Sequence, residues 1–244
     1  MSGVVSPSAL TANDEHLMNV LFDPGSSVSK RGAIIDSGLQ ALPDIEPQQL
    51  QALRAREALI IKPLDSQDPL REAVENAIVQ LTELLDTNPA YPSAYMNRAQ
   101  ARRLLISQSN HTFHETSVRN VQLVLSDLTK TIELAAPTSP SAPVSSFQAE
   151  LLSKAYTHRA YVMHMMSKPG NPSGIVQRLS GGGGVQTLED MASRDFFMGG
   201  IYGDAIAKEM AVATNPYAKM CGAIVKEALK QEISHSLDSR GKDL

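Results

Sequence analysis

Arg98, Arg102 and Arg103 place three guanidinium groups on two turns of one predicted helix. Arg98 and Arg102 are one turn apart, so together they can grip a carboxylate on an acidic partner or pair internally with Glu83 or Asp86. Internal pairing is the simpler expectation. His111 and His114 would need further ligands to hold a metal, and the polar segment around them offers only Glu115. His158 and His164 are six residues apart and do not share a helical face. Cys221 has no histidine or aspartate placed by a local motif to activate it and reads as a buried thiol. The glycine run 181–184 is not followed by Gly-Lys-Ser/Thr, so it is no phosphate loop. Met163, Met165 and Met166 read as groove or core residues rather than as a cofactor site. No catalytic constellation emerges, and the expectation is a chain that is not an enzyme and takes neither metal nor cofactor.

Composition limits the partners. The 244 residues carry a formal net charge of -4, with a pI near 5.9, which gives no global pull toward nucleic acid or anionic membrane. Hydrophobic content of 42% with aromatics at 5% and no tryptophan suits helices packed through Ala and Leu. A single cysteine fits a reducing compartment. Asp14 and Glu15 fall where a signal peptide needs apolar residues, no apolar run approaches a membrane span, and the final residues match neither an ER-retention nor a peroxisomal signal. The expected setting is cytoplasmic, with the nucleus also compatible.

The elements that must position these residues follow from periodicity. A polar arm, 1–47, holds a short helix at about 13–22 and an extended Ser-, Gly- and Pro-containing linker from 25 to 47. The first main helix spans 48–61 with Leu50, Leu53, Ala58 and Ile61 in register, and the next spans 69–87 with Pro69 in its first turn. In that second helix Ala77, Leu81 and Leu84, spaced four and three, share one face, and Pro89 closes the element. Further helices are expected over 91–107, 118–135 and 147–166, then from about 188. Tyr95 and Ala99, one turn apart, recur as Tyr156 and Ala160, and Asp195 before Phe196 mirrors Asp127 before Leu128. A large residue followed by a small one lets a neighbouring helix approach closely. Polar insertions at 108–117 and 168–187 are expected as loops, the second mobile; helices over 205–213 and 216–237 should close the end before a charged tail, 238–244.

This arrangement resembles a tetratricopeptide-repeat array, built from helix pairs of about thirty-four residues. The expected fold is therefore all-α: a solenoid of three helix pairs (48–89, 90–137 and 145–204), with a short N-terminal helix and capping helices over 205–237. Three stretches resemble the tetratricopeptide repeat protein 36 family more specifically. They are Asn13-Asp14 leading through Leu17 and Leu21 to Phe22-Asp23-Pro24; Ala94-Tyr95-Met96-Asn97-Arg98-Ala99-Gln100-Ala101-Arg102-Arg103-Leu104; and Asn215-Pro216-Tyr217-Ala218 followed by Met220-Cys221. The turn 62–68 and the two insertions depart from that pattern. The resemblance implies three repeats, no catalytic centre, an association with tyrosine metabolism and contact with seventy-kilodalton heat-shock chaperones.

Three-repeat arrays that hold chaperone tails grip the terminal carboxylate with several donors on the first helices, since one exposed ion pair is worth only about 0–1 kcal/mol. In the repeat register Asn97 and Lys154 fall on clamp positions, Arg54 can replace the first lysine, Ala58 stands where asparagine is expected, and His158 stands where arginine is expected. Arg159, beside His158, points about a hundred degrees round the helix. The candidate partner-binding residues are thus Arg54, Asn97, Arg98, Arg102, Lys154 and His158. The leading expectation is a non-enzymatic adaptor that holds a protein partner, such as a tyrosine-catabolic enzyme, in its groove and affects its folding or lifetime. The alternative is a co-chaperone that binds acidic chaperone tails through a partial clamp.

Overall fold

A computed structural model describes residues 32–108, 115–139 and 141–215, together with positions 220, 222, 224, 225, 227, 228 and 231. The expected helix at 13–22, His111, His114, Cys221 and the tail lie outside the described residues. Within them are eight α-helices: α1 (Pro47–Ile61), α2 (Arg71–Thr87), α3 (Pro92–Gln108), α4 (Glu115–Ala135), α5 (Ser146–Met166), α6 (Ser173–Leu179), α7 (Gly184–Ile201) and α8 (Ala205–Thr214). The β-structure among the described residues is one isolated parallel bridge, Ile35 to Val144. The expected all-α class holds.

Each helix starts and packs for reasons visible in its residues. Pro47 opens α1 at a position where its missing N–H costs nothing. Ser145 caps α5 in a reciprocal capping box with Gln148. Helix α3 lies against α2 and α4, α5 lies against α4 and α7, and α8 closes onto α7. Leu81, Leu84, Tyr91, Ala99, Leu128, Leu152, Ala160 and Phe196 are all buried in one continuous core. Tyr95 and Tyr156 pack at its margin beside the alanines that follow them one turn later. Gly199 and Gly200 set the closest approaches. A β-carbon on Gly199 would stand 2.5 Å from Thr157 Oγ1 and 3.1 Å from the Ala207 β-carbon, and one on Gly200 would stand 2.7 Å from Lys208 Cγ. These glycines let α5 and α8 close on α7.

Four local expectations are corrected. Part of the expected extended linker is bound to the body: Leu42 and Ile45 are buried, and residues 33–36 exchange backbone hydrogen bonds with Ile201 and Val144. Ser145 Oγ also donates to the Ala41 carbonyl at 2.7 Å. This strap thus runs from the end of α7 past the start of α5 to the start of α1, because its apolar residues find a sheltered edge there. The expected mobile loop 168–187 contains α6, anchored by buried Ile175 and Val176, and α7 begins at Gly184. Pro69 lies before α2 rather than in its first turn. In α1 the inward face is Leu50, Leu53, Glu57 and Ile60; Ala58 is exposed. One carboxylate therefore belongs to that inward face.

Candidate functional site

The arginine cluster on α3 divides. Arg98 meets Asp127 of α4 in a two-pronged pair, Nε to Oδ2 at 3.0 Å and Nη2 to Oδ1 at 2.7 Å. Arg102 Nη1 also donates to Asp127 Oδ2. The expected partners were Glu83 or Asp86; Asp127 takes the role because it faces α3 from the packed neighbour. Arg98 further donates to Thr82 Oγ1 on α2 at 3.1 Å. The same device recurs one pair later: Arg159 on α5 meets Asp195 of α7 at 2.6 and 2.9 Å and donates to Thr129 Oγ1 on α4 at 3.0 Å. Both arginines also lie over the tyrosine three residues earlier, at 5.4 Å from Tyr95 and 5.6 Å from Tyr156. Burial pulls the Arg159 guanidinium down, but the hydrogen bonds and charge of Asp195 overcome it and leave its pKa raised. Arg102 is lowered by burial and by neighbouring Arg98, with Asp127 opposing both. Arg98 and Arg102 are thus bonded within the fold.

Asn97 is also engaged. Its Nδ2 donates to Glu57 Oε1 at 2.8 Å, while Tyr91 Oη and Ser93 Oγ donate to Glu57 Oε2 at 2.6 and 2.9 Å. Glu57 is only 5% exposed, and three donors on or beside α3 compensate its burial. Burial and then the Glu57 charge raise the Tyr91 pKa, which keeps its hydroxyl a donor. Glu57 was missed from sequence, although a glutamate spaced three, four and three with Leu50, Leu53 and Ile60 is the signal for it. A terminal carboxylate bound at Asn97 would lie beside the Glu57 carboxylate, where like charges oppose each other.

Of the remaining candidates, Arg54 and Lys154 are exposed and His158 is half-buried. Arg54 is exposed and lies 4.9 Å above the Phe147 ring, tying α1 to the start of α5. Lys154 pairs with Glu150 at 2.6 Å on an exposed turn. His158 is held neutral, its pKa pushed down to about 4 by burial and by the cations Arg103 and Lys154, with Asp204 opposing. Arg103 is separated from its two arginine neighbours and lies 5.9 Å over the ring of Tyr161 on α5. No group of three His, Cys, Asp or Glu side chains among the described residues is placed to hold a metal ion. None of the described helices is long and apolar enough to cross a membrane.

The L-tyrosine degradation gene cluster protein hmgX of Aspergillus fumigatus is similar to this chain, with 41% identity over 252 residues, covering 94% of the chain and 96% of that protein. Tetratricopeptide repeat protein 36 from Homo sapiens aligns at 25% identity over 239 residues, covering 94% of the chain and 99% of the relative. The Bos taurus protein of that name aligns at 24% over 229 residues, covering 91% and 95%. The chain belongs to the tetratricopeptide repeat protein 36 family. No family model matches the chain, and no solved structure matches it.

For a member of the tetratricopeptide repeat protein 36 family, these contacts divide the candidate residues by role. Asn97, Arg98 and Arg102 hold helices together. Arg54, Lys154 and His158, with Arg103 and Tyr161 beside them, lie on the α1–α3–α5 side, where side chains still reach solvent.

Proposed function

We propose that the chain is a non-enzymatic, cytoplasmic tetratricopeptide-repeat scaffold. Its three pairs are α1/α2, α3/α4 and α5/α7, and α8 caps the end. The observation that carries this reading is the duplicated arginine–aspartate–threonine device, which relates α3/α4 to α5/α7 in side-chain chemistry as well as in helix order. Repeats of this kind bury their apolar faces against one another and leave the first helices to form a binding face. Arg54, Lys154 and His158 are the partner-facing residues in this reading. The name of the Aspergillus fumigatus relative supplies the setting, so the partner is a protein of tyrosine catabolism whose folding or lifetime the scaffold affects. The Glu57 carboxylate beside Asn97 argues against the alternative in which a chaperone's terminal carboxylate is clamped there.

The test is capture of purified tyrosine-catabolic enzymes by the immobilised full chain, compared with Tyr161→Glu. Tyr161 is 47% exposed, so the substitution puts a charge on the binding face with little effect on folding. Capture should fall at least about fivefold for the interacting enzyme, since the substitution removes the aromatic contact area and sets a carboxylate against the partner surface. Capture of no such enzyme, or equal capture by both forms, overturns the proposal.

A further inference from the structure

Along α7, Met191, Arg194, Met198 and Ile201 follow one another at spacings of three, four and three, with Phe197 beside them, so the five residues share one side of the helix. The opposite side is committed to packing: Leu188, Ala192, Asp195, Phe196, Gly199 and Gly200 are buried, the glycines against α5 and α8. The stripe is open. Met191 is 39% and Phe197 41% exposed, Arg194 is exposed, and Met198 and Ile201 are half-buried. Apolar side chains in a row on one helix side form a contact surface, unlike single apolar residues scattered over a protein.

The chain itself leads to this face. Ala33 N donates to the Ile201 carbonyl at 3.2 Å, and a β-carbon on Gly32 would stand 3.9 Å from the same oxygen. The residues that precede Gly32 therefore depart from the C-terminal end of the stripe. In that preceding sequence Leu17, Val20 and Leu21 form an apolar edge at helical spacing, and Asp14 and Glu15 stand just ahead of it. A helix over 13–22 measures about 15 Å, as does 191–201 along α7, and the connecting residues 23–31 can span up to about 30 Å. Length and reach both fit.

We propose that residues 13–22 form a helix that docks along the Met191–Ile201 stripe of the same chain, with Leu17, Val20 and Leu21 against Met191, Phe197, Met198 and Ile201. The shortest path to Gly32 runs this helix parallel to α7, with Leu21 toward Ile201 and with Asp14 and Glu15 toward Arg194, whose charge complements theirs. Asp190, one turn before Arg194, is engaged by Gln186 at 3.2 Å. The tether selects this occupant over a second copy, because a segment joined through 23–31 meets the stripe at a far higher effective concentration than a separate molecule does. In the C-terminal segment Met220, Ile224 and Val225 are themselves exposed and do not supply the cover. Arm and strap then make one clasp on the last helix pair, away from the α1–α3–α5 side, so the docking does not depend on the identity of a partner.

The test is methionine oxidation of the full chain by dilute hydrogen peroxide, followed residue by residue by mass spectrometry, in the parent and in the double variant Leu17→Asp with Leu21→Asp. Both substitutions lie outside the described core, and circular dichroism confirms that the variant is folded. Met165 on α5, 42% exposed, is the internal reference, since the described fold leaves it about as open as Met191. The expected result is that Met191 oxidises at least about threefold more slowly than Met165 in the parent and catches up with it in the double variant. Its protection should also be unchanged on about tenfold dilution of the protein, as an intramolecular contact requires. Equal rates at Met191 and Met165 in the parent overturn the proposal. Protection that persists in the double variant, which assigns the cover to another segment, or protection lost on dilution, which assigns it to a second copy, overturns it as well.

Discussion

Asp127 holds two guanidinium groups, and its own side chain is 5% exposed against 13% for each arginine. Asp127→Ala leaves two largely buried cations beside one another with nothing between them, so it should lower stability by about 3–5 kcal/mol in urea or thermal unfolding. Arg102→Met should cost much less, because Arg98 still satisfies the carboxylate. His158 acts through protons. Its folded pKa of about 4 lies below the ordinary 6.5, so the unfolded chain takes up a proton first as pH falls. The contribution of His158 to stability is therefore complete above about pH 6.5 and is lost progressively toward pH 4. An imidazole titration by NMR should show the depressed value, and His158→Gln should flatten that part of the stability profile. Much at this scale was legible: the paired aspartates and tyrosines announce a repeated device. The choice of Asp127 over Glu83 and Asp86 was not, because all three carboxylates lie within reach of a helix surface and only packing decides which one faces Arg98.

At the scale of the elements, α7 is where small residues matter most. Gly199 lies against Thr157, whose hydroxyl is fixed between the Ser153 carbonyl and Asp204, so the neighbour that an added methyl would strike is not free to move. Gly199→Ala should cost about 1–3 kcal/mol despite the better helix propensity of alanine, and calorimetry of the two forms measures it. Helix existence was readable from the spacing of apolar residues, since that period is a local property. The strap at 32–47 and α6 were not readable in this way. Both are short, rich in Ser, Gly or Pro, and held by a few apolar residues, Leu42 and Ile45 in one and Ile175 and Val176 in the other. Two anchors without a helical period look like a loop until a sheltered surface exists to receive them.

For the molecule as a whole, stacking helices leaves one side for packing and another for contact, and the same helix serves both purposes. On α3, Ala99 is buried in the core, Arg98 bridges to α4, and Arg103 reaches α5. On α5, Arg159 looks inward and Tyr161 outward, two residues apart. The sequence by itself determined the all-α class and the recurrence of Tyr95/Ala99 as Tyr156/Ala160, because these depend on side chains within one or two turns of each other. The tertiary structure alone decided which charges are consumed inside. Arg98 and Asp127 are 29 residues apart, Asn97 and Glu57 are 40 apart, and Ala41 and Ser145 are 104 apart. Pairings over such distances depend on which helix faces meet. An ionisable side chain that meets a counter-charge there becomes part of the framework, and one that does not remains available to a partner.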